Sequence, residues 1–173
     1  MHEGFGGNGM RRLGDGVEAA LHCALVLAAL PAKKVMSGKD LARLHGLSES
    51  YLLKHLRALT AAAISEAVPG PRGGYRLTRP AGQVTMLEVV EAIDGVGPAY
   101  VCREIRQKGD VTTKVKCAYK KDCFIKRRML AAEQLWREAL REQTLQDLLD
   151  DGEVEIGDEN KRTVGQFISE NQR

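Results

Sequence analysis

The 173-residue sequence has no hydrophobic run long enough to cross a bilayer. Its longest strongly apolar stretch, Ala19 to Ala32, is interrupted by His22. A signal-peptide cleavage pattern is also missing, so the chain reads as cytoplasmic. There is no phosphate-binding loop, no nucleophile elbow and no carboxylate pair in a convincing context, which argues against an enzyme. The cysteines do not follow zinc-finger spacing. What remains is ordinary soluble composition, 43% apolar and 28% charged, in a chain long enough for one domain with a real core.

Net charge is only +3, but it is unevenly spread. Residues 10–80 carry 11 Lys and Arg against 5 Asp and Glu, and residues 100–128 carry 10 against 3. Residues 129–173 reverse the sign, with 5 against 11. Two basic blocks followed by an acidic end favour an anionic partner for the first part of the chain, although a solvated surface pattern looks similar.

The leader, residues 1–9, is Gly-rich and aperiodic and is expected to be disordered. Val17 to Ala29 is an Ala- and Leu-rich helix, with Asp15 a candidate cap and Pro31 beyond its end. Ser37-Gly-Lys-Asp40 opens a short helix that Gly46 closes. Ser48 caps a longer one in which Leu52, Leu56 and Leu59 share a face. Two such helices across a Gly-containing turn make a helix-turn-helix. Pro69 to Gly74 cannot be helical, so the flanking residues form a β-hairpin, the wing. Thr85 opens a further capped helix that ends at Gly95.

The DNA-facing residues follow from this layout. The second helix enters a major groove by its N-terminal end, which presents Ser48, Glu49, Ser50 and Tyr51. Lys54, His55 and Arg57 come next on the solvent side. At the wing tip Arg72 stands beside Gly73 and suits a minor groove or backbone contact, and Arg76 and Arg79 suit phosphates. The competing readings are a plain cap for Ser48, core packing for Tyr51 and a solvated turn for Arg72.

Residues 98–124 form a loop with three of the four cysteines, Cys102, Cys117 and Cys123, spaced C-x14-C-x5-C among Lys and Arg. Reduced cytoplasmic thiols in a cluster favour a metal, an iron–sulfur cluster or a redox switch. Cys23 lies in an apolar run and reads as core. Glu18 and His22 are four residues apart on one helical face and could add oxygen and nitrogen donors. As competing readings, His22 is an ordinary satisfied histidine and Glu18 a helix-terminal charge. From Cys123 onward Ile125, Met129, Ala132, Leu135, Trp136, Ala139 and Leu140 make an apolar stripe on a long helix. That stripe is expected to pack on a second copy. A short helix begins at Thr144, and residues 150–173 are expected to be an acidic flexible tail.

The expected fold is therefore mainly α with a small β-hairpin wing, a winged helix-turn-helix over residues 10–97, and a dimerisation helix with a short helix over 125–149. Leu47-Ser-Glu-Ser-Tyr-Leu52, Gly70-Pro-Arg-Gly-Gly-Tyr75-Arg-Leu-Thr-Arg-Pro80 and Ala92-Ile-Asp-Gly95, followed by spaced cysteines and a Trp-bearing helix, resemble the winged-helix iron–sulfur regulators that include IscR, NsrR and RirA. The resemblance covers about residues 10–149. It implies a homodimer bound to a palindromic double-stranded DNA operator, usually as a repressor, with a cluster on the cysteine loop. The C-x5-C interval matches that loop, whereas the fourteen-residue first interval is longer than usual and Pro69 replaces a common wing Arg. Glu18 aligns with the acidic ligand that nitric-oxide sensors supply across the dimer. Glu18 and His22 of one subunit with Cys117 and Cys123 of the other would suit a 2Fe-2S centre. A 4Fe-4S centre would recruit Cys102. A metal-free thiol–disulfide switch, a zinc site and an electron-transfer or cluster-carrier protein without DNA binding are the alternatives.

Overall fold

The computed structural model describes residues 13–108 and 121–173. The leader and Cys117 lie outside the described residues. Seven α-helices and one β-hairpin are found among the described residues: α1 (Asp15–Ala28), α2 (Gly38–Leu44), α3 (Glu49–Ala61), β1 (Ser65–Val68), β2 (Gly74–Leu77), α4 (Met86–Asp94), α5 (Phe124–Arg141), α6 (Leu145–Glu155) and α7 (Asp158–Asn171). Single 3-10 turns sit at Ala81–Gln83 and Ile105–Gln107.

Helix starts follow the side chains available to satisfy free backbone N–H groups. The Ser37 hydroxyl accepts from the Asp40 N–H at 3.1 Å, and the Ser48 hydroxyl accepts from the Tyr51 N–H at 3.3 Å. Thr85 with Glu88 and Thr144 with Asp147 form reciprocal capping boxes. The cap of α1 is Gly14 rather than Asp15, and the Gly14 N–H donates to the Asp94 carboxylate at 3.1 Å, tying α1 to the end of α4. Between α2 and α3 the chain turns at Gly46, whose φ of +64° suits glycine.

Leu41, Leu52, Leu56, Leu59, Ile64, Val84, Val89 and Leu145 are fully buried in one core with Ala20, Cys23 and Ala24 of α1. The wing is an antiparallel pair in the register Ser65↔Leu77 to Val68↔Gly74. Just before α2, Met36 makes a single antiparallel bridge to Tyr75 of β2. Gly74 allows that approach, because a Cβ there would lie 2.4 Å from the Met36 carbonyl oxygen.

The acidic end departs from the expected tail. It folds as α6 and α7 and joins the core. The Leu145 N–H donates to the Val84 carbonyl at 2.9 Å, the Met86 N–H donates to the Gln143 carbonyl at 2.8 Å, and Leu145 itself is fully buried. Phe167 and Ile168 of α7 pack against the core from outside. Composition argued for disorder over residues 150–173, but Phe167 and Ile168 find an apolar surface to cover, beside Leu145, Leu148 and Leu149 of the short helix expected from Thr144.

Helix α5 buries none of its residues within one chain. Phe124, Ile125, Met129, Leu135 and Trp136 are exposed, Leu135 to 68%. The helix is held to α4 by an Arg137–Glu91 ion pair. A cavity of about 490 Å³ opens between α4 and α5, lined in part by Leu87, Val90, Met129 and Trp136. None of the helices in the described residues is long and apolar enough to cross a membrane.

Candidate DNA-reading face and cysteine centre

On α3 the side chains of Ser48, Glu49, Ser50, Lys54 and Arg57 are exposed, and Tyr51 is 38% exposed. The Ser48 hydroxyl is already occupied as the helix cap. His55 corrects the sequence expectation, because it is only 6% exposed and does not face solvent. It lies on the inner side with Leu52, Leu56 and Leu59, and Tyr51 meets its ring edge-on at 4.7 Å between centroids. The ring fills space left by Gly16 of α1, where a Cβ would fall 2.2 Å from its Cε1. Burial, and then the Lys54 charge, hold this imidazole below its ordinary pKa.

In the wing, Arg72 is exposed on the turn between the strands. Gly73 is buried and its role is steric. Its N–H donates to the Gly70 carbonyl at 2.9 Å, and a Cβ would lie 2.0 Å from the Val68 carbonyl oxygen. Arg76 is engaged within the wing, its Nε donating to the Glu66 carboxylate of the paired strand at 2.7 Å. Arg79 bonds the Glu88 carboxylate at 2.5 Å and the Gln83 and Ala63 carbonyls, so it braces the wing against α4.

The cysteine-bearing loop brings Cys102, Glu104 and Cys123 together, with their ligand atoms all within 4.8 Å of one another. Cys102 Sγ lies 3.6 Å from Glu104 Oε1. Cys123 is the N-cap residue of α5. Its sulfur makes no formal cap bond, yet the N–H groups of Lys126 and Ile125 face it. The Lys126 N–H, the Ile125 N–H, the Cys102 thiol and the Arg106 charge together outweigh burial and hold the Cys123 thiol below its ordinary value. Glu104 sits in the left-handed region at φ 47°, a conformation that costs a non-glycine residue about 1–3 kcal/mol. Its carboxylate is held by Arg106 Nε at 2.6 Å and Gln107 Nε2 at 3.0 Å, and its pKa is lowered chiefly by the Arg106 hydrogen bond. Arg106 also donates to the Lys121 carbonyl at 2.9 Å and so joins the two described ends of the loop. Partial burial, then the nearby cysteines and Glu104, push the Tyr100 phenol upward.

Glu104 was missed in the sequence, although the Cys-x-Glu-x-Arg run at 102–106 was available as a signal. Cys23 is fully buried and its thiol is pushed up to about 12, so it is an inert core group, as expected. Glu18 and His22 are exposed on α1 and border a hollow lined by residues within 13–22, among which there is no loop residue. The His22 ring lies 5.6 Å from that of His45. Burial, and then the His22 charge, lower the pKa of His45.

Residues 13–151 match the family model of Rrf2, described as an iron-dependent transcriptional regulator. The chain belongs to the Rrf2 family. Like other Rrf2 members it is a winged-helix, DNA-binding transcriptional regulator rather than an enzyme. Among its relatives is a putative helix-turn-helix transcriptional regulator of Bacillus subtilis, YwgB, 28% identical over 80% of this chain and 85% of that one. Another is BadM of Rhodopseudomonas palustris, 37% identical over 50% of this chain and 54% of that one. Two solved structures share the Rrf2 fold at 20% identity. CymR, the global cysteine regulator of B. subtilis, aligns with a TM-score of 0.63 over 80% of this chain and 96% of its own. IscR of T. potens aligns with a TM-score of 0.62 over 84% and 92%.

Proposed function

We propose that this Rrf2 protein is a homodimeric regulator, acting as a repressor on a palindromic operator, whose DNA affinity is set by an iron–sulfur centre on the 98–124 loop. The observation that carries this reading is the convergence of Cys102, Glu104 and Cys123 at the N-terminus of α5. Two thiols, one of them biased toward thiolate, and a carboxylate fit the donors that soft iron sites take. When bound, the centre supplies a one-electron redox state that responds to oxidant, iron supply or nitric oxide. The protein's own part is to orient the donors. Arg106 fixes Glu104, and α5 fixes Cys123 on the same helix that carries the exposed apolar stripe.

In this reading Cys117 completes a four-donor set with Cys102, Glu104 and Cys123, and a set of mixed O and S donors favours 2Fe-2S over 4Fe-4S. Glu18 and His22 of the second copy, which the α5 stripe recruits, stand beside that set rather than in it. On the DNA side Arg72, Lys54 and Arg57 approach phosphates, while Ser50, Glu49 and Tyr51 approach base edges. Ser48 serves as the cap, and His55 and Gly73 support α3 and the wing turn from within.

A second reading has its own support. The thiols of Cys102 and Cys123 are close enough to become partners after a small movement, and S. aureus CymR, a fold neighbour, has been solved in an oxidized form. Oxidation by a peroxide would remove two electrons and two protons and join them as a disulfide.

The test is anaerobic purification with iron and sulfide quantified beside the visible spectrum. Near two of each per subunit, lost in Cys123→Ser and altered in His22→Ala, is the expected result. A colourless protein that takes up no iron on reconstitution refutes the cluster, and the thiol switch then requires peroxide to mask two thiols. Sedimentation as a monomer refutes the homodimer.

A further inference from the structure

Helix α7 lies beyond residue 151, where the family match ends. That segment attaches directly to the DNA-reading elements. Arg173 pairs with Val35 through both backbone bonds, the Val35 N–H donating to the Arg173 carbonyl at 3.1 Å and the Arg173 N–H donating to the Val35 carbonyl at 2.9 Å. On the other edge, Met36 pairs with Tyr75 of β2. The Val35-Met36 segment before α2 is therefore held between the wing and residue 173. The Arg173 guanidinium donates to the buried Asp40 carboxylate at 3.1 Å and to the Gly73 carbonyl in the wing turn at 3.4 Å. Two residues earlier, Asn171 accepts from Arg43 of α2 at 2.6 Å, and Arg43 stacks over the Phe167 ring at 4.9 Å.

We propose that residues 158–173 are a latch that holds α2 and the wing in the arrangement DNA requires, and that DNA affinity falls when the latch opens. The contacts fall on the first and last turns of α2, the Val35 backbone before it and the wing turn next to Arg72. Opening removes the nearer of two cations from the buried Asp40 carboxylate, leaving Arg43 at 3.5 Å, and two backbone bonds from the segment before α2. The latch is able to open because α7 contributes no fully buried residue and carries Gly165 mid-helix. A helix of this length is marginal on its own, so its docking is set by a few contacts and belongs to the low-stability end of the fold.

The inference rests on the family's DNA binding but not on the cluster. The test compares the intact chain with one ended after residue 157, using amide hydrogen exchange and binding to a duplex selected from a random library by the intact protein. Truncation is expected to weaken duplex binding by roughly tenfold, the scale of a lost charged contact. It should also remove protection from the Val35 N–H. A peptide of residues 158–173 should restore both. Unchanged affinity overturns the proposal, and so does tighter binding, which would make α7 a cover rather than a support. Should truncation unfold the chain, the Arg43→Ala/Phe167→Ala variant is held to the same criteria. An intact chain that selects no duplex refutes DNA reading instead, and Val35 exchange then decides the latch alone, with unchanged protection overturning it.

Discussion

Gly16→Ala tests whether α1 and the recognition helix are as closely fitted as the structure shows. The new methyl would stand 2.2 Å from Cε1, 2.7 Å from Nδ1 and 3.0 Å from Nε2 of His55. Carbon atoms settle near 3.5 Å, so the ring or the helix must retreat by about 1.3 Å. The ring is enclosed, with Tyr51 against its edge. Overpacking of this kind costs about 1–3 kcal/mol. Against it stands the helical gain of Ala over Gly, at most about 1 kcal/mol and less in a first turn. The net expectation is a loss of about 1–2 kcal/mol. With a urea slope of about 1–3 kcal/mol per molar, that moves the midpoint down by about 0.3–2 M. All variants are compared at one protomer concentration, because self-association would enter the midpoint. In the His55→Ala background the same substitution should become neutral or stabilising, since the ring is gone and only the helical gain remains. Equal cost in both backgrounds, or stabilisation by Gly16→Ala alone, would refute the fitted contact.

Three further outcomes are expected. Gly73→Ala forces a Cβ to within 2.0 Å of the Val68 carbonyl oxygen, a backbone atom that cannot swing away, so the wing turn should open. Duplex affinity and its salt slope should then both fall while helical circular dichroism is kept, and an unchanged salt slope would remove the wing from the DNA contacts. Leu145→Ala should cost about 2–5 kcal/mol in urea unfolding because Leu145 is fully buried, whereas Val154→Ala at an exposed site should cost almost nothing. His45 and His55 both have folded pKa values below the ordinary 6.5, with burial the first cause. The unfolded chain therefore binds more protons, and stability is complete above about pH 6.5 and declines as pH falls through the folded values. The Leu145→Ala and wild-type proteins should lose midpoint in parallel between neutral and mildly acid pH, whereas His45→Gln should flatten the curve.

The local grammar of the chain was legible because it rests on short-range chemistry. Ser37, Ser48, Thr85 and Thr144 each bond a backbone N–H three residues on, and the helices begin where these residues stand. The Leu52, Leu56 and Leu59 spacing fixed the buried side of α3, and the Pro- and Gly-rich turn fixed the wing. The acidic end was misread for a physical reason. Its composition is that of a solvated segment, and only the presence of an apolar surface elsewhere in the fold gives Phe167 and Ile168 something to cover.

The sequence by itself determined the element types of the winged helix-turn-helix and their order, the start of the long helix after Cys123, and the family, since each depends on neighbours within a few residues or on a motif read along the chain. Only the tertiary structure decided which polar side chains are spent inside the molecule. His55 lies on the helix that carries Lys54 and Arg57, and nothing in its sequence position says that a glycine 39 residues earlier leaves a space for it. Arg76 and Arg79 look like phosphate ligands until Glu66 and Glu88 are brought beside them. Glu104 gains meaning only when Cys102 and Cys123, 21 residues apart, meet around it. Distances across the fold are set by packing of the whole core, so the partners of a charge or a thiol are properties of the folded chain.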